Sequence, residues 1–570
     1  MKLHFDTLAL LCLLCASVVN CSALDREAFS FTNYDLDVRL EPEQHRIGVR
    51  GKVTLRNDSS TPQATAVLQI SSSLDWRSIT LGGKPVQFLR QPYTSDIDHT
   101  GALSEAVVTL PQSIAPHATV DLDIAYEGVI LSDSTRLTRI GTPEDIARNS
   151  DWDQIDQKFT AVRGIGYVAW YPIASESANL SEPESLPEIL KRWNDRSVET
   201  RMSVSFQSSQ ELTLVCSGDA TSTESSKSTS SVFTFHDLNT FVPTFAMADY
   251  QNAELDTRSS IAHLPGEQAI AELYAETLSK LDTPLLGQNS KRFQIVELPD
   301  RDAASFVSDG ILLMPLKSVV TPQDRLTLVY ALARQQNRSP RLWITEGLAH
   351  YAQVLDLERQ QGREVALNYL VAHLPLLAQS EQVDPLPKSR QAQESQRSLI
   401  NMSDDVSMQA KAMWVWWMLR EMIGGKDPAA ALQRILRQYD AAEDRDPAYL
   451  EHLIETASHR DLKWFFDDWV YNDRGLPNFK VDSVYSSKTS QAGFLVTITV
   501  ENDGAAGAEV PLIVKFAGGE LRQPLEVHAN SKAVIRVETS AAPEEVVVND
   551  GSVPENDMKN NQFKVRLEQK

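Results

Sequence analysis

Leu328-Val329-Tyr330-Ala331-Leu332-Ala333-Arg334-Gln335 is followed shortly by Trp343-Ile344-Thr345-Glu346-Gly347-Leu348-Ala349-His350-Tyr351, and these two segments govern how the rest of the chain is read. Thr321-Pro322 marks the start of the first helix, because Thr can cap an opening turn and Pro suits the first helical position. Tyr330 and Arg334, four residues apart, then share one helical face. Eleven residues separate Arg334 from Glu346, enough for a turn and the start of a second helix. Taken alone, Tyr330 and Arg334 also suit any amphipathic helix.

Helical periodicity surrounds these segments. It appears before them at Ile270, Leu273, Tyr274 and Leu278, in a helix expected to end near Gly287. It continues after them over Val406 to Ile423, Ala429 to Tyr439 and Tyr449 to Ala457. Strands are expected at Phe293 to Leu298 and Ile311 to Leu316, so residues 253–475 read as an α+β domain with a helical lower half. From Phe31 to Tyr250 the pattern has period two, as in Tyr34-Asp35-Leu36-Asp37-Val38-Arg39-Leu40 and Thr119-Val120-Asp121-Leu122-Asp123-Ile124. That spacing predicts a mostly antiparallel N-terminal β domain over 24–252, with Ser217 to Ser231 as an extended loop. Alternation returns in Phe494 to Val500, Val510 to Phe516 and Ala533 to Val537. Residues 476–570 therefore read as a C-terminal immunoglobulin-like β-sandwich of seven short strands, with a loop over Gly551 to Asn561 and a last strand at Phe563 to Leu567. The chain is multidomain, as its 570 residues require.

Hydrophobic residues make up 42% and charged residues 23%, the balance of a folded globular protein. Lys+Arg number 54 against 77 Asp+Glu, a net charge of −23, and no basic run interrupts the acidic background. Nucleic acid is therefore excluded as a partner, because binding it requires neutralising phosphates. Residues 1–23 read as a signal peptide: Lys2, the apolar stretch Leu8 to Val19, then the small residues of Cys21-Ser22-Ala23. The protein is expected to be exported, to a periplasm or the extracellular space, with no membrane span in the mature chain. Cys12, Cys15 and Cys21 would leave with the signal, so Cys216 would remain alone and no intrachain disulfide could form.

The two opening segments resemble the core of the aminopeptidase N-like zinc metallopeptidases, the gluzincins with a thermolysin-like domain. In that family one helix carries His-Glu-Leu-Ala-His-Gln and the next carries Trp-Leu-Asn-Glu-Gly-Phe-Ala. The two histidines and the later Glu bind zinc, and the first Glu acts on the metal-bound water. The resemblance places Tyr330 and Arg334 at the histidine positions, Ala331 at the catalytic Glu and Glu346 at the surviving ligand, with a shorter connection than in the family. Further on, Gln409-Ala410-Lys411-Ala412 followed by Met418-Leu419-Arg420 puts Gln409 where the family has a Tyr that stabilises the oxyanion. Asp309 is the one acid near the position of the family's amine-binding Glu, and loop surface is the alternative for it. Arg460-Asp461-Leu462-Lys463-Trp464-Phe465-Phe466-Asp467-Asp468-Trp469-Val470 is similar to the family's segment before the C-terminal module.

The resemblance implies a degenerate active site. A guanidinium cannot become a ligand and repels a divalent cation, and Ala331 transfers no proton. If Glu346 keeps the inward position that the resemblance gives it, its charge needs compensation, and an Arg334 to Glu346 ion pair is expected in place of the metal. No catalytic residue, cofactor or metal is expected; the vestigial positions are Tyr330, Ala331, Arg334, Glu346 and Gln409. The implied function is that of a pseudopeptidase binding a peptide or protein segment in the cleft between domains. Two alternatives stand beside it: an atypical zinc aminopeptidase using Glu346 with replacement ligands such as His350, and a structural or adhesion-type envelope protein. Trp414, Trp416 and Trp417 are read as helix packing and groove lining.

Overall fold

The computed structural model describes residues 24–95, 101–139, 141–164, 169–174, 200–209, 212–221, 230–236, 238, 242–255, 259–284, 286–287, 292–377, 398–402, 405–489 and 493–565. The proposed signal peptide at 1–23, most of the Ser/Thr-rich tract and the end of the expected last strand lie outside them.

The strand Phe29–Glu41 shows why the N-terminal region is a sheet. Tyr34, Leu36, Val38 and Leu40 are buried while Asp35, Asp37 and Arg39 are exposed, the two-residue alternation of a half-buried strand. It lies inside an eight-stranded sheet, antiparallel to Arg46–Asn57 and parallel to Arg201–Ser208. The other pairings in this sheet are antiparallel, as expected of a mostly antiparallel domain, and more than a hundred intervening residues give the chain room for the crossover that the parallel pair requires. A second sheet, formed by Gln63–Ser71, Gly101–Ile114 and Gln87–Ser95, shares its core: Leu68, Ile70 and Val108 join Leu36, Val38 and Leu122 in one apolar cluster.

A five-stranded mixed sheet follows in the order Gln251–Glu254, Ser259–His263, Phe293–Glu297, Ile311–Met314, Phe306–Ser308. The last of these is an edge strand, and N-terminal residues fasten it. Trp152 Nε1 donates to Ala304 O at 2.9 Å, Ser308 Oγ to Val242 O at 2.6 Å, and the Arg163 guanidinium lies 5.5 Å from the Phe306 ring centre.

The described helices are α1 (Thr135–Arg139), α2 (Glu144–Ser150), α3 (Gln268–Ser279), α4 (Pro322–Gln336), α5 (Leu342–Gln361), α6 (Arg363–Ala372), α7 (Asp405–Ile423), α8 (Pro428–Leu436), α9 (Tyr449–Ser458) and α10 (Lys463–Phe466). α3 stops at Ser279 rather than near Gly287. α4 begins as its sequence requires: the Thr321 hydroxyl accepts the Asp324 N–H at 3.1 Å and the Asp324 carboxylate accepts the Thr321 N–H at 3.0 Å, a reciprocal cap. Among the described residues no helix is long and apolar enough to cross a membrane.

Seven strands between Phe479 and Lys564 form a three-stranded and a four-stranded sheet. The segment expected as a plain loop contains one short 3-10 turn, Met558–Asn560, and the following strand is Gln562–Lys564. These sheets do not have a core of their own. Trp416, Leu419, Phe465 and Trp469 belong to the same buried cluster as Val500, Leu512 and Val527. Trp469 Nε1 donates to Gly507 O at 2.7 Å, and the Arg460 guanidinium pairs with Glu509 at 2.6 Å. The helical region and the C-terminal sheets are thus packed as one body.

Candidate functional site

α4 and α5 run against each other through small residues: Ala333, Ala349 and Ala352 are fully buried at their contact. That close approach sets the distance between polar groups on the facing turns. Tyr330 and Arg334, one turn apart on α4, both reach Glu346 on α5. The Tyr330 hydroxyl donates to Glu346 Oε2 at 2.6 Å, and Arg334 Nε donates to Glu346 Oε1 at 2.5 Å. Glu346 is 3% exposed. Burial alone would raise its pKa, but the Arg334 charge and the two hydrogen bonds outweigh it and hold the carboxyl below its ordinary range. Glu346 is therefore an ion at neutral pH with a donor on each oxygen. The expected ion pair is present, and Tyr330 adds a second donor that the sequence reading did not anticipate.

His350, one turn further along α5, lies with its ring 4.9 Å from that of Tyr330. Gln353 Nε2 donates to Leu326 O at 3.0 Å, which leaves Gln353 Oε1 as the acceptor 2.9 Å from His350 Nδ1. The proton then sits on Nδ1. Burial, only partly offset by the Glu346 charge, lowers the imidazole pKa, so the ring is neutral. Gln409 arrives from α7 beside this ring. The structure thus gathers Tyr330, Arg334, Glu346, His350 and Gln409 around one point between α4, α5 and α7.

No family model matches the chain, and no curated protein matches it. Solved structures similar to this chain include M1 zinc metallopeptidases. An M1 zinc metallopeptidase from Deinococcus radiodurans is 17% identical, with 79% of this chain and 96% of that one covered and a TM-score of 0.48. A mutant M1 zinc metallopeptidase from Deinococcus radiodurans bound to a Tyr-Ser-Ala substrate gives the same identity and coverage, with a TM-score of 0.49. A two-domain M1 zinc metallopeptidase mutant bound to L-tryptophan is also 17% identical, covering 76% of this chain and 93% of its own, with a TM-score of 0.47.

Zinc is the metal that the motif resemblance in the sequence implies, and the donor set around Glu346 does not suit it. One carboxylate oxygen is taken by a permanent cation and the other by a phenol. A divalent ion placed there would have to displace the Arg334 guanidinium, which has no neutral form available near pH 7. Among the described residues no three His, Cys, Asp or Glu side chains converge as a metal-binding group.

The remaining expected positions have structural partners. Ala331, one residue from Tyr330, is fully buried and belongs to the apolar cluster that also holds Leu312, Met314 and Leu328. Asp309 does not lie on an exposed loop: it is 8% exposed and paired with Arg338. An acid so paired is unlike one presented to a free amine. Trp414, Trp416 and Trp417 are all buried, and Trp416 stacks on Trp343 at 5.7 Å. Trp417 is covered by the guanidiniums of Arg420 at 4.1 Å and Arg363 at 5.2 Å. These indoles are core; none lines a groove. Sequence reasoning missed Arg325, whose guanidinium grips Asp356 with two hydrogen bonds of 2.7 and 2.6 Å and ties α4 to α5 a second time. It also missed Gln353. Each follows from an i to j pairing between two helices, which no single-helix pattern reveals.

Proposed function

We propose that this chain is a peptidase-like protein in which a Tyr330–Glu346–Arg334 lock stands in place of a zinc centre, so that it binds peptide or protein segments without hydrolysing them. The observation that carries the reading is that both oxygens of the surviving carboxylate have donors, one of them a fixed positive charge. Hydrolysis by the metallopeptidase route needs a ligand set open to a metal and a base beside it. Here the ligand set is closed, and position 331 holds a methyl group packed against the sheet.

Peptide as the ligand class follows from the motif resemblance: a cleft shaped for chains can outlast its chemistry. Export led by residues 1–23 belongs to the same proposal and places the protein in a periplasm or outside the cell. Purified protein incubated with amino-acid amides and short peptides, with and without added zinc, tests the reading. It predicts no turnover, together with retention of intact peptide in equilibrium dialysis. Hydrolysis that disappears in Glu346→Gln would overturn it.

A further inference from the structure

Between α7 and α8 the chain turns through Gly424 and Gly425, both with left-handed backbone, at φ 65° and 95°. This turn, one side of α8 and the end of α9 enclose an open cleft of about 770 Å³. That lies within the roughly 300–1,000 Å³ typical of ligand sites. None of the residues around Glu346 lines it.

Its charge is opposite to that of the chain. Lys426, Arg434 and Arg437 line it, in a protein of net charge −23. The one carboxylate at its edge, Asp427, is already engaged, accepting the Ala430 N–H at 3.0 Å to cap α8. Nearby arginines are paired, Arg420 with Glu358 and Arg460 with Glu509, but among the described residues Lys426, Arg434 and Arg437 have no ion-pair partner. Grouping three unpaired cations costs mutual repulsion that a bound anion would relieve.

Two further features point to a ligand. The Ser458 hydroxyl, on the α9 side of the cleft, is buried and has no hydrogen-bond partner. Buried hydroxyls are normally satisfied, so a group entering from the cleft is the natural partner. Ile423 and Ile435 supply an apolar wall.

The spacing of the cations selects the kind of anion. Arg434 and Arg437 are neighbours on one helical face, whereas Lys426 precedes the helix by two residues. At 1.5 Å per residue, the row from Lys426 to Arg437 spans roughly 15 Å. A single phosphate could touch only one end of such a row; an extended segment with several carboxylates, its apolar side on the isoleucines, could engage it all. Guanidinium forks pair with carboxylates through two parallel hydrogen bonds.

We propose that this cleft binds an acidic peptide segment, with its carboxylates on Lys426, Arg434 and Arg437 and a backbone or side-chain group on the Ser458 hydroxyl. The site is independent of the Glu346 lock and stands or falls separately from it.

The test is fluorescence anisotropy of a labelled hexaglutamate peptide with the full chain, using hexalysine and hexaserine as comparisons. Hexaglutamate alone should bind, with affinity falling about tenfold or more between about 50 and about 300 mM NaCl. Lys426→Ala, Arg434→Ala and Arg437→Ala together should weaken binding about tenfold or more without moving the melting temperature, since all three side chains are exposed. Arg50→Ala with Lys84→Ala, exposed cations elsewhere, should leave binding unchanged. Three results would each overturn the proposal: no binding by the native protein, equal binding by the triple variant, or complete displacement by millimolar inorganic phosphate, which would mark a simple anion site.

Discussion

Arg334 Nε on α4 and Glu346 Oε1 on α5 meet at 2.5 Å, with side chains that are 13% and 4% exposed. A pair so buried has surrendered its hydration, and its stability rests on each partner compensating the other. Removing one partner therefore costs more than removing both. Arg334→Leu should destabilise the protein by about 3–5 kcal/mol, because it strands a buried carboxylate, while Arg334→Leu with Glu346→Leu should regain most of that loss. Tyr330→Phe should cost less, about 1–3 kcal/mol, since it leaves one oxygen without its donor. Urea denaturation of the four proteins checks the order.

Two buried carboxyls should give opposite pH signatures. Glu346 has its pKa held below the ordinary 4.5, so the stability it contributes is present above that value and is lost as pH falls through its folded pKa. Glu555, 1% exposed, is pushed up to about 7 by burial, against hydrogen bonds from Asn561, the Phe479 N–H and Asn549. Its folded form holds a proton that its unfolded form has released between about 4.5 and about 7, so its contribution grows as pH falls across that window. Melting temperatures measured against pH should show the native protein losing ground to Glu346→Gln below about pH 4.5 and gaining on Glu555→Gln from about pH 7 down to about 4.5.

Gly347 follows Glu346 at the crossing of α5 and α7. A Cβ there would lie 2.7 Å from both the Ala412 Cβ and the Trp416 indole nitrogen. Because Trp416 is buried and stacked on Trp343, it cannot yield cheaply. Gly347→Ala should cost about 1–3 kcal/mol despite its gain in helix propensity, measurable as a lower urea midpoint.

Restoring the metal helix is a further trial. Tyr330→His with Arg334→His puts two imidazoles opposite Glu346 and should confer zinc binding detectable by calorimetry, whereas Arg334→His alone should not. Adding Ala331→Glu brings an acid to a position packed against Leu312 and Met314, so the triple variant should be less stable than the double. No zinc uptake by either combination would show that α4 and α5 no longer hold ligand geometry, and uptake by the single variant would show that a second imidazole at position 330 is not needed.

The sequence made some of this legible and concealed the rest, for identifiable reasons. The strand Phe29–Glu41 and the helix α4 were readable because alternation and a Thr-Pro start are local signals. The Arg334 to Glu346 pair was readable because opposite charges stood at motif positions on successive helices. The parallel pairing of Phe29–Glu41 with Arg201–Ser208 was not, since partner choice across so long a separation leaves no periodic trace. Ala331 looked like one more lost catalytic position, and only the packing reveals that its face of α4 is closed by the sheet. Asp309 looked like a loop acid because its partner, Arg338, lies 29 residues away. The core shared by Trp469 and Val500 is likewise a product of packing, which no boundary drawn from alternation could express.

The most direct measurement is the zinc content of the native protein after dialysis against micromolar zinc, read by mass spectrometry beside Glu346→Gln. The lock predicts well under one zinc per chain in both proteins and no difference between them. One tightly held zinc per native chain, absent from Glu346→Gln, would contradict it.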